Sequence, residues 1–332
     1  MVCLLVAAGA RLAGSVLQLG LETAIALIVG LALGALPALR ELALSGATLA
    51  ARYALRIGIT LLGARLTVDQ LVATGGSSVV AILVTVTSAL LLGAWLARRL
   101  GLMPLLSALI TVGMAICGNS AILALSPIIL ARHRETAYAV STITIFGLIG
   151  VLSLPIAGHL LALTDATFGT WAGLAVNDTA QVVATGYAYS APAGDVATIV
   201  KLTRNLAILP VLLGATWWVH RAAESALDGP APTASPVAMV GRAVPWFVIG
   251  FVVVATLRSL GLLDGQVATG GSLADLASTI ATLCILVALA GVGLATDIRA
   301  MLGVGPRPFL LGAVMWLVIG ALGLLLAGVY HG

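Results

Sequence analysis

The feature that most constrains this chain is the recurrence of long apolar runs with almost no charge inside them. Such runs fall at about 22–38, 49–66, 78–97, 103–131, 137–162, 166–190, 194–219, 243–263, 272–294 and 308–329, and a helix of about 20 apolar residues crosses a bilayer. Hydrophobic residues make up 61% of the 332 positions and charged residues 8%; ordinary soluble domains carry roughly 25% charged residues. Almost nothing is left for an aqueous catalytic or nucleic-acid-binding module. The expected fold is an all-α polytopic membrane protein of about ten membrane elements. The opening stretch MVCLLVAAGARLAGSVLQLG carries Arg11 within its apolar run and no clear small-x-small cleavage site. It reads as a weak membrane or interfacial segment rather than a secretory signal.

One polar linker of any length interrupts the pattern, from His220 to Arg242, with Arg221, Glu224, Asp228, Pro230, Pro232 and Pro236. The expected organisation is an N-terminal membrane bundle over 1–219, a cytoplasmic linker over 220–242 and C-terminal membrane helices over 243–332, in one integrated membrane domain. Lys and Arg in short loops favour the cytoplasm. The basic connections are Arg40 with Arg52, Arg98 with Arg99, Arg132 with Arg134, Arg221 with Arg242, and Arg299 with Arg307, and they cannot all be cytoplasmic if every run crosses. The conflict resolves if 103–131 and 166–190 are broken, re-entrant elements entering from opposite sides. In the rival layout both cross as interrupted helices and one basic loop lies outside. Either way, irregular backbone at membrane depth must be satisfied by protein or by a water-filled cavity.

A short internal likeness points to inverted repeats. GARLTVDQLVATG, from Gly63 to Gly75, aligns without gaps to GVGLATDIRAMLG, from Gly291 to Gly303, matching Gly63 with Gly291, Leu66 with Leu294, Asp69 with Asp297 and Gly75 with Gly303. The charge assignment puts the copies on opposite sides, an arrangement found in many secondary transporters. Two helix ends built from the same Gly and Asp capping chemistry would give the same matches.

Three segments carry the polar groups a binding site needs. In GMAICGNSAILALSP, Gly113 and Gly118 permit a backbone break, after which Gly118, Asn119 and Ser120 open a half-helix whose positive end can meet an anion. Small residues that let membrane helices pack closely are the alternative. In GLAVNDTAQVVATGYAYS, Asp178 is the single charge and shares a helical face with Asn177 and Gln181; a charge at mid-membrane needs a cavity or partner, unless the segment lies at the interface. Lys201, the one lysine of the chain, stands with Arg204 and Asn205 on one face of VATIVKLTRNLAILPVLL. These cations await either a transported anion or Asp178, or else they snorkel to the interface. Arg56 and Arg65 fall on opposite sides of their helix and are not expected to act together.

Other chemistries find no support. Cys3, Cys117 and Cys284 have no paired spacing, and His133, His159, His220 and His331 are dispersed, so no metal site is expected. No zinc-protease motif, serine elbow, catalytic carboxylate pair or Walker loop is present, which argues against an enzyme and against a pump that hydrolyses nucleotide by itself. A passive anion channel is the alternative to a transporter.

ALRIGITLLGARLTVDQL (54–71), AICGNSAILALSPIILA (115–131), AGLAVNDTAQVVATGYAYS (172–190), KLTRNLAILP (201–210) and ALAGVGLATDIRAMLGVGPRP (288–308) resemble, in order, the signature blocks of the YeiH-type family of proposed sulfate exporters. The resemblance implies a polytopic transporter of the bacterial inner membrane, related in fold to bile acid, arsenite and auxin carriers, with sulfate or a related sulfur oxyanion as cargo. The chain departs from the family pattern twice. Asn177-Asp178 stands where His-Glu is common, which removes an imidazole from any proton coupling there, and Asn119 replaces a small residue after Cys117-Gly118.

The expected function is secondary transport of a small inorganic or sulfur-containing anion of the sulfate, sulfite or sulfonate class, as an exporter in the family reading. The expected site joins Gly118, Asn119, Ser120, Asn177, Asp178, Gln181, Lys201 and Arg204. The partners are the anion and the bilayer, with no nucleic acid and no cofactor; the coupling ion, H+ or Na+, and a homodimer stay open.

Overall fold

In a bilayer every backbone N–H and C=O must be satisfied inside its own segment, which leaves helices for a chain of this composition. The computed structural model describes residues 2–17, 22–225, 246–266, 271–296 and 305–331. Its helices, in order, are α1 (Val2–Leu17), α2 (Glu22–Gly34), α3 (Pro37–Leu49), α4 (Leu55–Leu62), α5 (Val68–Arg99), α6 (Pro104–Ala115), α7 (Asn119–Leu125), α8 (His133–Leu160), α9 (Asp165–Ala175), α10 (Thr179–Tyr189), α11 (Ala191–Asn205), α12 (Ile208–Ser225), α13 (Trp246–Ser259), α14 (Leu273–Ala295) and α15 (Pro306–His331). Among the described residues no strand forms beyond an isolated bridge between Gln266 and Ser272.

Among the described residues five stretches are long and apolar enough to cross a membrane: Val68–Arg99, His133–Leu160, Ala191–Ala215, Leu273–Ala295 and Pro306–Tyr330. Shorter apolar helices cover Val2–Ala13, Ile25–Gly34, Pro104–Ala115 and Trp246–Ser259. The run expected at 49–66 belongs to a longer helical course. α3 begins at Pro37, whose missing N–H costs nothing in a first turn, and passes through a π turn at Ala50–Ala54 into α4. Arg40 and Arg52, expected in a loop, therefore sit on helix. The run expected at 194–219 is interrupted at Leu206 and Ala207. Pro210 explains this, because it has no N–H to offer the carbonyl of Leu206.

The helices pack in two groups. α14 lies against α1, α2, α3 and α4, and α13 against α4. The approach is close: a Cβ on Gly30 would stand 2.6 Å from the carbonyl oxygen of Ala290, and one on Gly293 2.6 Å from that of Leu27. In the second group α5, α8, α11 and α15 pack around the two broken segments, α6 with α7 and α9 with α10, over a core that includes Leu109, Ile110, Met114, Ile122, Ile143 and Met315. α10 touches both groups, because Val183 and Ala184 join the apolar cluster of Leu27, Ile59 and Leu289. Of the proposed repeat, Gly63 and Gly291 both abut the backbone of another helix, with Cβ positions 2.3 Å from Phe251 O and 2.6 Å from Ala47 O. Asp297 and Gly303, like most of the 220–242 linker, lie outside the described residues.

Candidate functional site

Both segments expected to be broken are broken. α6 ends at Ala115, and the chain turns through Ile116, Cys117 and Gly118 before α7 begins at Asn119. Gly118 sits at φ 64°, ψ −126°, a region essentially closed to residues with a side chain. α9 ends at Ala175 and α10 starts at Thr179, with Val176 and Asp178 extended between them. α9 and α10 have 11 residues each, about 16 Å per half-helix. That is about half of a roughly 30 Å hydrocarbon layer.

The two breaks lie directly against each other. A Cβ on Gly118 would stand 3.1 Å from both the backbone N and the Cα of Asp178, and 3.2 Å from the carbonyl carbon of Asn177. Two helix C-termini and two helix N-termini therefore meet at one buried crossing. Each C-terminus leaves carbonyls without intrahelical donors, and each N-terminus leaves N–H groups without acceptors.

The carbonyl ends are satisfied by α11. Lys201 Nζ donates to the carbonyls of Ile116 at 2.8 Å and Val176 at 3.1 Å. Arg204 donates from Nε to Ala115 at 3.0 Å, from Nη2 to Met114 at 2.8 Å and Ala115 at 2.9 Å, and from Nη1 to Leu174 at 2.6 Å. Longer contacts reach Val176 and Gly173. Both side chains are 0% exposed. The cations thus act as caps on the negative ends of α6 and α9. Small residues make this reach possible, since a Cβ on Gly173 would collide with Val200 at 2.7 Å and hold α9 away from α11. Sequence reasoning offered an anion, Asp178 or the interface as partner. The structure adds main-chain carbonyls as partners and, among the described residues, places Asp178 beyond ion-pair distance of both cations.

The N–H ends carry the carboxylate. Asp178 Oδ1 accepts from Ala180 N at 3.0 Å and caps α10. Two basic side chains and one carboxyl group therefore meet at the crossing. Asn177 and Gln181 are oriented by donation: Nδ2 of Asn177 to Met114 Sδ at 3.1 Å, and Nε2 of Gln181 to the carbonyl of Thr144 at 3.2 Å. Gly147 leaves the room for Gln181, because a Cβ there would fall 1.8 Å from Oε1. Of the eight expected site residues, Gly118, Asn119, Asn177, Asp178, Gln181, Lys201 and Arg204 line the breaks or cap the half-helices, while Ser120 is exposed on α7.

A second polar cluster escaped the sequence reading. Arg65, just before α5, donates from Nε to Ser278 Oγ at 2.6 Å and from Nη2 to Thr282 Oγ1 at 2.7 Å, both on α14. Its Nη1 lies 3.5 Å from Tyr187 Oη on α10 and 4.0 Å from Asp195 Oδ1 on α11, and Tyr187 donates to Asp195. This cluster ties the first helix group to the second. Asp195, the one acid between Ala191 and Val219, was the available signal. Its partner could not be read, because Arg65 is far away in sequence.

The family model described as "Conserved hypothetical protein 698" matches residues 1–312. A UPF0324 membrane protein of Clostridium tetani is 32% identical over 299 residues, covering 89% of this chain and 85% of the relative. One from Streptococcus pyogenes serotype M6 is 33% identical over 326 residues, covering 96% and 93%. The UPF0324 inner membrane protein YeiH of Salmonella typhi is 33% identical over 303 residues, covering 89% and 82%. No solved structure matches. The apolar helices and this similarity along nearly the whole chain make it a multi-pass membrane protein that belongs to the UPF0324 family, the conserved hypothetical protein 698 family.

Proposed function

We propose that the protein is a secondary transporter of a small anion and that the crossing of the two broken segments is its binding site. The observation that carries this reading is that two buried basic side chains, Lys201 and Arg204, and one carboxyl group, Asp178, gather where the half-helix ends meet. Discontinuous helices whose ends face a mid-membrane site are a recurring transporter device. Lys201 has three N–H donors and spends two on carbonyls, which leaves one for a ligand. Asp178 caps the N–H end of α10, and an anion bound there competes with it for those amides.

The substrate class is that of small inorganic or sulfur-containing anions, with sulfate, sulfite and sulfonates as first candidates and export as the direction that the family resemblance suggests. Two inverted halves would supply the two access states. No group in the crossing forms a nucleophile-base pair, and we read the protein as a carrier rather than an enzyme. The test is counterflow in proteoliposomes. A carrier shows uptake of labelled anion accelerated by unlabelled anion inside, whereas a passive channel equilibrates without that stimulation. Absence of any anion flux would refute the reading.

A further inference from the structure

Resting on the crossing as a transport site, we propose that Arg65 and the pair of Tyr187 with Asp195 form the gate that closes one membrane face over it. Arg65 lies between α4 and α5, Tyr187 near the end of α10, Asp195 near the start of α11 and Ser278 near the start of α14. Their contacts bring these helix ends to one level. Arg98 and Arg99 end α5 on the opposite face, and basic ends favour the cytoplasm, which assigns the gate to the outer face. From Thr179 at the break to Tyr187 is eight residues of α10, about 12 Å, and from Asp195 to Lys201 is six residues of α11, about 9 Å. The cluster therefore stands between the crossing and that face.

The contact is built to part. Arg65 is anchored on the first helix group by its short bonds to Ser278 and Thr282, and it reaches the second group only at 3.5 Å to Tyr187 Oη and 4.0 Å to Asp195 Oδ1. Asp195 in turn accepts from Tyr187. Each half keeps a partner of its own when the groups separate, so parting orphans neither the guanidinium nor the carboxylate. The side chains of Arg65 and Asp195 are 22% and 21% exposed, and water can take up the released contact. Val68 N donates to Ser259 Oγ beside Arg65, but there the chain itself passes from one group to the other, so that bond does not need to break. Elsewhere α10 meets the first group through apolar side chains, Val183 and Ala184 in the cluster of Leu27, Ile59 and Leu289. Between α11 and α13 a cavity of about 130 Å³, lined by Leu71, Ile199, Leu202, Val248 and Phe251 among others, leaves the groups incompletely packed. Interiors are normally filled to crystal density, and a void on this seam gives the second group room to move against the first, the motion that opens a fixed site to one face.

Cys117, buried in the turn between α6 and α7 at the crossing, reports the state of the gate. In the full-length chain with Cys3→Ser and Cys284→Ser, its reaction with a charged, membrane-impermeant methanethiosulfonate is timed in right-side-out and inside-out membrane vesicles. Asp195→Asn removes the charge that faces Arg65 and keeps an oxygen for the Tyr187 hydroxyl. It is expected to speed the reaction from the outer face about fivefold, the value of one partly exposed ion pair. Reaction from the cytoplasmic face should slow, because one state grows at the expense of the other. Arg65→Gln is expected to move both rates in the same directions, and it supplies the reading if Asp195→Asn does not fold. A merely structural tie would leave both rates unchanged or raise both through general loosening. Either result would overturn the gate and, with counterflow intact in the wild type, leave anion transport standing. Absence of wild-type counterflow would overturn the transport reading and the gate with it.

Discussion

Replacing Arg204 by Gln tests what holds the crossing together. In the wild type the guanidinium satisfies the carbonyls of Met114, Ala115 and Leu174 at 2.6 to 3.0 Å. Hydrogen bonds to a charged group are worth about 1.5 to 3 kcal/mol each, so three carbonyls set an upper bound of roughly 4 to 9 kcal/mol. Burying the guanidinium itself is costly, and that cost disappears in the variant. The expected net loss is about 3 to 5 kcal/mol, the range for breaking a buried charged contact. Against a total stability of about 5 to 15 kcal/mol this is severe, and it corresponds to a fall in Tm on the order of 10 °C. The assay is thermal unfolding of the detergent-purified, anion-free protein, followed by tryptophan fluorescence. Arg204→Lys retains the charge but not the fork, so it should lose less. Adding Asp178→Asn to Arg204→Gln should restore nothing, because the carboxylate is not the arginine's partner. An unchanged Tm in Arg204→Gln, or recovery in the double variant, would refute the capping account.

Four further outcomes follow from the geometry. Gly118→Ala places a side chain at φ 64° and 3.1 Å from the Asp178 backbone, and strain of this kind costs about 1 to 3 kcal/mol; a Tm equal to wild type would show that the break does not need glycine. Asp178→Asn keeps an oxygen able to cap α10, so the protein should stay folded while counterflow falls, and wild-type flux would remove Asp178 from the site. Arg65→Gln removes the bonds to Ser278 and Thr282 that join the two helix groups, and at about 1.5 to 3 kcal/mol per bond to a charged group it should lower Tm measurably without altering which anions compete; a changed anion order would place Arg65 in the substrate path. Cysteines at Arg98 and Arg134 in a cysteine-free background are expected to label from the same, cytoplasmic face, and labelling from opposite faces would mean that 103–131 crosses the membrane.

The sequence by itself determined the class of protein, the positions of the two breaks and the residues gathered around them. These are local properties. Apolar run length sets the membrane helices, and Gly118 and Asp178 interrupt two of them through backbone freedom and capping, each acting within a few residues. The position of Pro210 held the break after Asn205 in the same local way, although the run length concealed it. What the polar residues bind was decided by the tertiary structure. The carbonyls of Met114, Ala115 and Ile116 that take up Lys201 and Arg204 lie 85 to 90 residues away, and Ser278 and Thr282 lie 213 and 217 residues from Arg65. No periodicity reaches that far. A buried cation needs acceptors, and sequence reasoning looked for them among carboxylates and ligands. Only the folded chain brings two helix C-termini to one point, where their unpaired carbonyls do the work of an anion.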